Sequence, residues 1–176
     1  MVESSNNTPE ILLFGAGGHG KALSSLLHTA GFACIGIFDV AGAEKFENAY
    51  TLFLGVYSPS LFPDCPIIVT VGNNRVRNEV AQIIQHRFAT FVHPSAQLAD
   101  NVTIGEGTVI LQNAVIQANS HVGKHCIINI GACIDHDCNI QDAVHISPLS
   151  YIGSNSNISS RSLIEPGKII SRFSAI

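Results

Sequence analysis

From Val92 to Ile170 an aliphatic residue stands at every sixth position: Val92, Leu98, Ile104, Ile110, Ile116, Val122, Ile128, Ile134, Ile140, Ile146, Ile152, Ile158, Ile164 and Ile170. A period of six is neither the 3.6 of a helix nor the simple alternation of a strand. Repetition at a fixed period marks a solenoid, in which one repeat cannot bury its own apolar face and must stack on the next. The spacing predicts a parallel β-helix, each hexapeptide supplying one short flat strand and one turn, with the aliphatic side chain inward. Four residues after it comes a small residue in most repeats, among them Ala96, Thr108, Ala114, Ser120, Cys126, Ala132, Cys138 and Ser150. The position just before the small residue holds Asn101, Gly107, Asn113, Asn119, Gly131, Asn155 and Gly167. These types tolerate the positive φ of a tight corner.

The rest of the composition fits buried parallel strands and narrows the function. Charged residues make up only 12% of the 176, and the net charge of −4 gives no electrostatic case for nucleic acid. No apolar run reaches the eighteen residues a membrane-spanning helix needs. The opening MVESSNNTPE is polar and lacks the basic and apolar regions of a signal peptide. Five cysteines, scattered over two unlike halves, read as free thiols in a reducing cytoplasm. Cys126 and Cys138 fall on the small inward position, where a thiol packs as a small apolar group.

The N-terminal half is different in kind. Residues 1–9 read as a disordered lead-in. Ile11–Phe14 is a buried strand that runs into Gly15-Ala16-Gly17-Gly18-His19-Gly20. A helix is expected over Lys21–Ala30, with Leu23, Leu26 and Leu27 on one face and Gly31 ending it. A second strand, Ala33–Phe38, closes on Asp39. Strand, glycine turn, helix, strand and acid in that order form the proper context of a GxGxxG phosphate-binding turn. The glycines let backbone approach a diphosphate at the positive helix N-terminus, and Asp39 can take a ribose or sugar hydroxyl. Residues 41–65 read as irregular, broken by Pro59 and Pro63, with Pro66 just beyond. Ile67–Val71 is expected as a third buried strand, and Gly72-Asn73-Asn74 follows it. A helix over Arg75–Gln85 should turn Val76, Val80, Ile83 and Ile84 inward. Ala89–Val92 is a last short strand. Ninety residues are half of a full dinucleotide-binding fold, which argues against a nicotinamide oxidoreductase.

One solenoid segment carries candidate chemistry: Ile134-Asp135-His136-Asp137-Cys138, with His145 nine residues beyond His136. A neutral imidazole suits a general base near neutral pH, and Asp135 or Asp137 could raise its basicity. Three hexapeptides make one triangular coil, so residues eighteen apart stack at about 4.8 Å. His136 then stacks between the small residues Ala118 and Ser154, which leaves room for a ligand. His145 faces another side of the prism. A homotrimer, with one chain's His136 facing the next chain's His145, is therefore expected. A metal site at Cys133, His136 and Cys138 is disfavoured, since Cys138 should point inward and the spacing matches no standard zinc pattern.

The glycine turn, Ile37-Phe38-Asp39, Val71-Gly72-Asn73-Asn74-Arg75 and the hexapeptides around His136 together resemble the sugar O-/N-acyltransferase family. That family includes sialic acid O-acetyltransferases and bacillosamine-type UDP-4-amino-sugar N-acetyltransferases. The resemblance covers nearly the whole chain from Ile11. It implies a Rossmann-like α/β subdomain over residues 10–91 that holds a nucleotide sugar, followed by a left-handed parallel β-helix over 92–176. It implies trimers, acetyl-CoA as co-substrate, no metal, and a cytoplasmic role in bacterial surface glycan biosynthesis. His136 matches the catalytic base and Asp137 the acid that supports it. Gly17, Gly18, His19, Asp39 and Gly72 match substrate-binding positions, and His145 and Pro166 match acetyl-CoA contacts. The chain departs from the family by stopping about one and a half coils early, Ile152-Gly153 being its last Ile-Gly pair. The alternative expectation is a shortened homologue that keeps the sugar-nucleotide pocket and has lost coenzyme coils.

Overall fold

The apolar run at the start becomes β1 (Glu10–Phe14), buried on both faces as the centre of a parallel sheet. The computed structural model describes residues 8–40 and 51–176, so expectations for 1–7 and 41–50 lie outside the described residues. β1 pairs in parallel with β2 (Ala33–Phe38) on one side and β4 (Ile67–Val69) on the other. Beyond β2 lies β3 (Leu52–Gly55), giving the order β3-β2-β1-β4. Two helices complete this half, α1 (Gly18–Thr29) between β1 and β2, and α2 (Asn74–Ile83) after β4.

The structure corrects the sequence reading at four places here. α1 begins at Gly18, so the glycines form its first turn and Gly17 its N-cap. β3 lies in a stretch expected to be irregular; it is a four-residue, half-exposed edge strand, too short for a periodic signal. β4 ends at Val69, two residues early, because Thr70 turns to serve the glycine loop: its Oγ1 donates to Gly15 O at 2.7 Å. The fourth concerns α2. Val76 and Ile83 are 42% and 63% exposed, and the helix buries Asn74, Arg77 and Ala81 instead. Val80 and Ile84 do pack on the sheet, beside Leu12, Phe38 and Ile67. The first turn of α2 leans on backbone carbonyls of the solenoid, which call for polar donors rather than aliphatic side chains.

The hexapeptides form the expected solenoid. Fourteen two-residue strands, β5 (Phe91–Val92) to β18 (Ile169–Ile170), make three parallel sheets. Each strand pairs with those eighteen residues away, as Cys133 does with Val115 and Tyr151. Ile110, Ile116, Val122, Ile128, Ile134, Ile140, Ile146, Ile152 and Ile158 are fully buried in one continuous core. Val92 and Leu98 are 37% exposed, against expectation, because they lie at the first turn of the prism with no coil beneath them. Every sixth residue from Asn101 to Phe173 has positive φ. The set includes Ala143, Leu149, Arg161 and Phe173, which have no such preference of their own. The ladder imposes the conformation: from Asn119 on, each corner N–H donates to a carbonyl of the coil before it, as Asp137 N does to Ala118 O at 3.0 Å.

One face of the prism carries the N-terminal half. On the sheet of β5, β8 (Val109–Ile110) and β11 (Ile127–Ile128) the outward residues Phe91, Val109 and Ile127 are apolar and buried. They share a core with Ile11, Leu13, Leu23 and Leu27. The next outward residue up this face is His145, in β14 (His145–Ile146).

The coils approach most closely at the glycines that follow inward residues. A Cβ on Gly105 would meet Gly123 C and Lys124 N at 2.6 Å, both backbone atoms of the next coil. Gly105→Ala is therefore expected to destabilise by about 1–3 kcal/mol. Gly72→Ala, whose Cβ would meet nothing within 4 Å, should stay within about 0.5 kcal/mol of the parent. Urea denaturation of both variants checks the contrast.

Candidate active site

The corner that follows β12 (Cys133–Ile134) carries Asp135, His136 and Asp137. Both Asp135 carboxylate oxygens have structural work. Oδ1 accepts from His136 N at 2.8 Å and Oδ2 from the Tyr151 hydroxyl at 2.7 Å. Its carbonyl accepts from Ser120 Oγ at 2.8 Å. Asp135 therefore braces the backbone beneath the histidine. Asp137 sits at the corner itself, with φ +58°, and its Oδ2 lies 2.6 Å from His136 Nδ1. Its other oxygen accepts from Asn119 Nδ2 at 3.2 Å, and Asn119 Oδ1 accepts from Asn101 Nδ2 at 3.3 Å. This column of corner residues, eighteen apart, aims the carboxylate. The geometry thus selects Asp137 over Asp135 as the imidazole's partner. A carboxylate at Nδ1 makes that nitrogen the N–H donor and leaves the Nε2 lone pair free.

The same hydrogen bond lifts the His136 pKa above its ordinary value, with Asp135 and Asp137 charges adding to it, and holds the Asp137 carboxyl down. His136 and Asp137 are exposed, so the effect is on proton affinity rather than on stability. Cys138 points into the prism, where its Sγ donates to Gly153 O at 3.3 Å and burial pushes the thiol up. It cannot converge with Cys133 and His136 on an ion. Among the described residues no group of three His, Cys, Asp or Glu is placed to hold a metal.

The second cluster is the glycine turn. Asp39 Oδ2 accepts from Ala16 N at 2.6 Å, and Thr70 holds Gly15 O from the other side. Gly20 is required by packing, because its Cβ would collide with Gly15 O. Gly17, Gly18 and Gly72 instead face open space. The turn is pinned at its base and, among the described residues, bare at its tip, an arrangement suited to a ligand's phosphates.

His19, in the first turn of α1, points down toward the solenoid. Its Nε2 is buried with no hydrogen-bond partner. Burial first, then His145, then Arg77, lower its pKa to about 4. His145 is lowered to about 4 by burial and then by Arg77, and its Nε2 accepts from Asn129 Nδ2 at 3.0 Å. The structure therefore brings His19 and His145 together within one chain. His136 stands elsewhere, on the corner between β12 and β13 (Asn139–Ile140). Pro166 is exposed on a corner, stacked eighteen residues beyond Pro148, whose carbonyl accepts from Gly167 N at 2.9 Å.

Sequence reading missed Thr70, Asn74, Arg77, Asn119 and Asn129 as supports. Two signals for them were present. Asn74 and Arg77 are three apart and so share a helix face. Phe91, Val109 and Ile127 are apolar outward residues at eighteen-residue spacing, which marks a covered face and places His145 at its upper margin.

An NMR titration of the His136 ring should give a pKa above the ordinary 6.5. Asp137→Asn removes the acceptor charge, so the ring pKa should fall in that variant, and the acid limb of any rate that uses the neutral ring should move to lower pH. A titration unchanged by Asp137→Asn would contradict the pairing.

Comparison with known proteins finds relatives of both halves of the chain. Residues 10–84 match the family model described as PglD N-terminal domain. The chain is 26% identical over 146 residues to GDP-perosamine N-acetyltransferase of Escherichia coli O157:H7, covering 77% of this chain and 66% of that protein. It is 31% identical over 109 residues to UDP-N-acetylbacillosamine N-acetyltransferase of Bacillus subtilis, covering 57% and 50%. The match thus spans between half and two thirds of the length of these curated relatives. Among solved structures, the acetyltransferase domain of PglB from Neisseria gonorrhoeae in complex with acetyl coenzyme A superposes with a TM-score of 0.69 at 26% identity, covering 96% of this chain and 88% of that one. Perosamine N-acetyltransferase from Caulobacter crescentus, solved with CoA and GDP-perosamine, shares the fold with a TM-score of 0.79 at 24% identity, covering 94% and 84%. A match to the PglD N-terminal domain over residues 10–84, set on one face of a parallel β-solenoid, is thus what this chain shares with these sugar N-acetyltransferases.

Proposed function

We propose that the protein transfers the acetyl group of acetyl-CoA to an amino group of a nucleotide-linked sugar, in bacterial surface glycan biosynthesis. The observation that carries this reading is the His136–Asp137 pair, held at a solenoid corner with no partner for Nε2 among the described residues. In the proposed step, Nε2 takes the proton shed by the sugar nitrogen as its lone pair forms a bond to the thioester carbonyl carbon. The carbon–sulfur bond then breaks, and coenzyme A leaves as the thiol by taking that proton from Nε2, which returns the ring to its neutral form. Asp137 favours the protonated ring that this step creates. A hydroxyl acceptor would use the same base. The relatives named as N-acetyltransferases and the neighbour solved with GDP-perosamine support the amine.

In this reading residues 10–91 are a Rossmann-like domain that holds the nucleotide on Gly17, Gly18, His19, Asp39 and Gly72. Residues 92–176 are a left-handed β-helix whose His145 and Pro166 contact the coenzyme. The working unit is a homotrimer, since His136 and His145 lie on different sides of one prism and a neighbouring copy can close the site. One of the two other prism faces supports this, with Tyr151 40% exposed and Ile169 73% exposed on the sheet of β12 and β18. The compartment is the cytoplasm, where five free thiols remain reduced.

The test is release of free thiol from acetyl-CoA in the presence of UDP- or GDP-linked 4-amino sugars. His136→Ala should lower kcat by about 10²–10⁴-fold with an unchanged circular dichroism spectrum. Near-normal kcat in that variant would remove His136 from the reaction. Absence of thiol release with every amino sugar would remove the reading itself.

A further inference from the structure

Arg77 is the largest fully buried side chain among the described residues, at 1% exposure. Its Nε donates to His125 O at 2.8 Å. One terminal nitrogen donates to Val71 O at 2.9 Å and Gly72 O at 3.2 Å. The other donates to Asn74 Oδ1 at 2.8 Å and Ala143 O at 2.9 Å. None of these five acceptors is a carboxylate. A buried cation with no counter-charge among the described residues is a costly choice, and a fold keeps one where its reach or its charge is used.

We propose that Arg77 is a positioning residue for the sugar-nucleotide site: it locks the Val71–Gly72 turn onto one solenoid corner and lends that junction a fixed positive charge. This rests on the reading of Gly17, Gly18, His19 and Gly72 as the site. The lock is a match of two periods. His125, Ala143 and Arg161 are stacked corner residues with φ of +53°, +55° and +66°. Arg77 takes the carbonyls of the first two, and Asn74 Nδ2 takes Arg161 O at 3.1 Å and Ser162 O at 2.9 Å. Three residues of helix rise about 4.5 Å, close to the rung spacing of about 4.8 Å. Asn74 and Arg77 therefore cap successive rungs with one helix face. Asn73 secures the same turn by accepting from Val76 N at 3.0 Å.

The groups that feel or face the guanidinium are His19, His145, His125 and Cys126. Glu106, Asp142 and Lys124 act on this neighbourhood through His125. Burial holds His19 and His145 neutral, and the Arg77 charge reinforces it. The junction thus offers two uncharged rings over one buried cation, an environment that favours an anionic ligand such as a nucleoside diphosphate.

The full chain is compared with Arg77→Met, which removes the charge, and Arg77→Lys, which keeps the charge and loses the fork. NMR follows the His19 and His145 rings, calorimetry measures UDP and GDP, and kinetics separate the KM values of the two substrates. In the parent both rings should titrate below pH 5. Arg77→Met should raise both ring pKa values, weaken nucleotide binding at least tenfold, and raise the KM for the nucleotide sugar more than the KM for acetyl-CoA. Arg77→Lys should keep the low ring values and still lose nucleotide affinity. Parent rings titrating near 6.5 would overturn the proposal without any variant. So would a folded Arg77→Met with parental rings and affinity. If Arg77→Met does not fold, parental nucleotide affinity in Arg77→Lys overturns it. If neither UDP nor GDP binds the parent, the site assignment fails, and the ring titrations still decide the role of Arg77 in the junction.

Discussion

The parallel ladder between residues eighteen apart is the constraint on which the rest of the structure depends. Each coil offers its neighbour a strand pair and a corner N–H, and in return the corner must adopt positive φ. A residue with a Cβ in that conformation costs on the order of 1–2 kcal/mol. The ladder sustains it at Asp137 because the flanking backbone is over-determined: Cys133 and Ile134 lie in strand pairs on both sides, and Asn155 N holds His136 O. The proposed function rests on this corner geometry. A corner residue turns its side chain out along the edge of the prism, where Asp137 meets the ring of the residue before it and the stacked Asn119 below it.

The same ladder organises the junction between the halves. Apolar outward residues on one face accept the α/β layer, and the contact becomes polar above Ile127, where His145 replaces the aliphatic series. There the glycine turn, α2 and three solenoid corners meet. The base of the glycine turn is tied by Asp39 and Thr70, while its tip is bare of side chains. Rigid support beneath an open tip lets backbone N–H groups meet a ligand without reorganising.

Much of this was legible in the sequence, for a physical reason. The hexapeptide core is dictated by burial, and burial repeats, so its aliphatic series could be read directly. So could β1, β2, and the pairing of an acid with His136. What could not be read was what serves backbone rather than core. Arg77 looks like a solvated charge on an amphipathic helix until the solenoid carbonyls that receive it are in place. Asn119 looks like a turn residue until stacking puts it under Asp137. The corners at Ala143, Leu149 and Arg161 were also hidden, because there the tertiary ladder overrides local preference. Val92 and Leu98 fit the series yet stay half-exposed, since a periodic pattern does not tell a terminal rung from an internal one.

The central claim is that a strained corner holds Asp137 against Nδ1 of His136 and so leaves Nε2 as the outward lone pair. Long-range ¹H–¹⁵N correlation of the His136 ring, above its pKa, tests this directly, because it reports which nitrogen carries the proton. The account predicts the Nδ1–H tautomer, with an unprotonated Nε2. A ring found chiefly as the Nε2–H tautomer would contradict it, since the nitrogen assigned to the base would already be occupied.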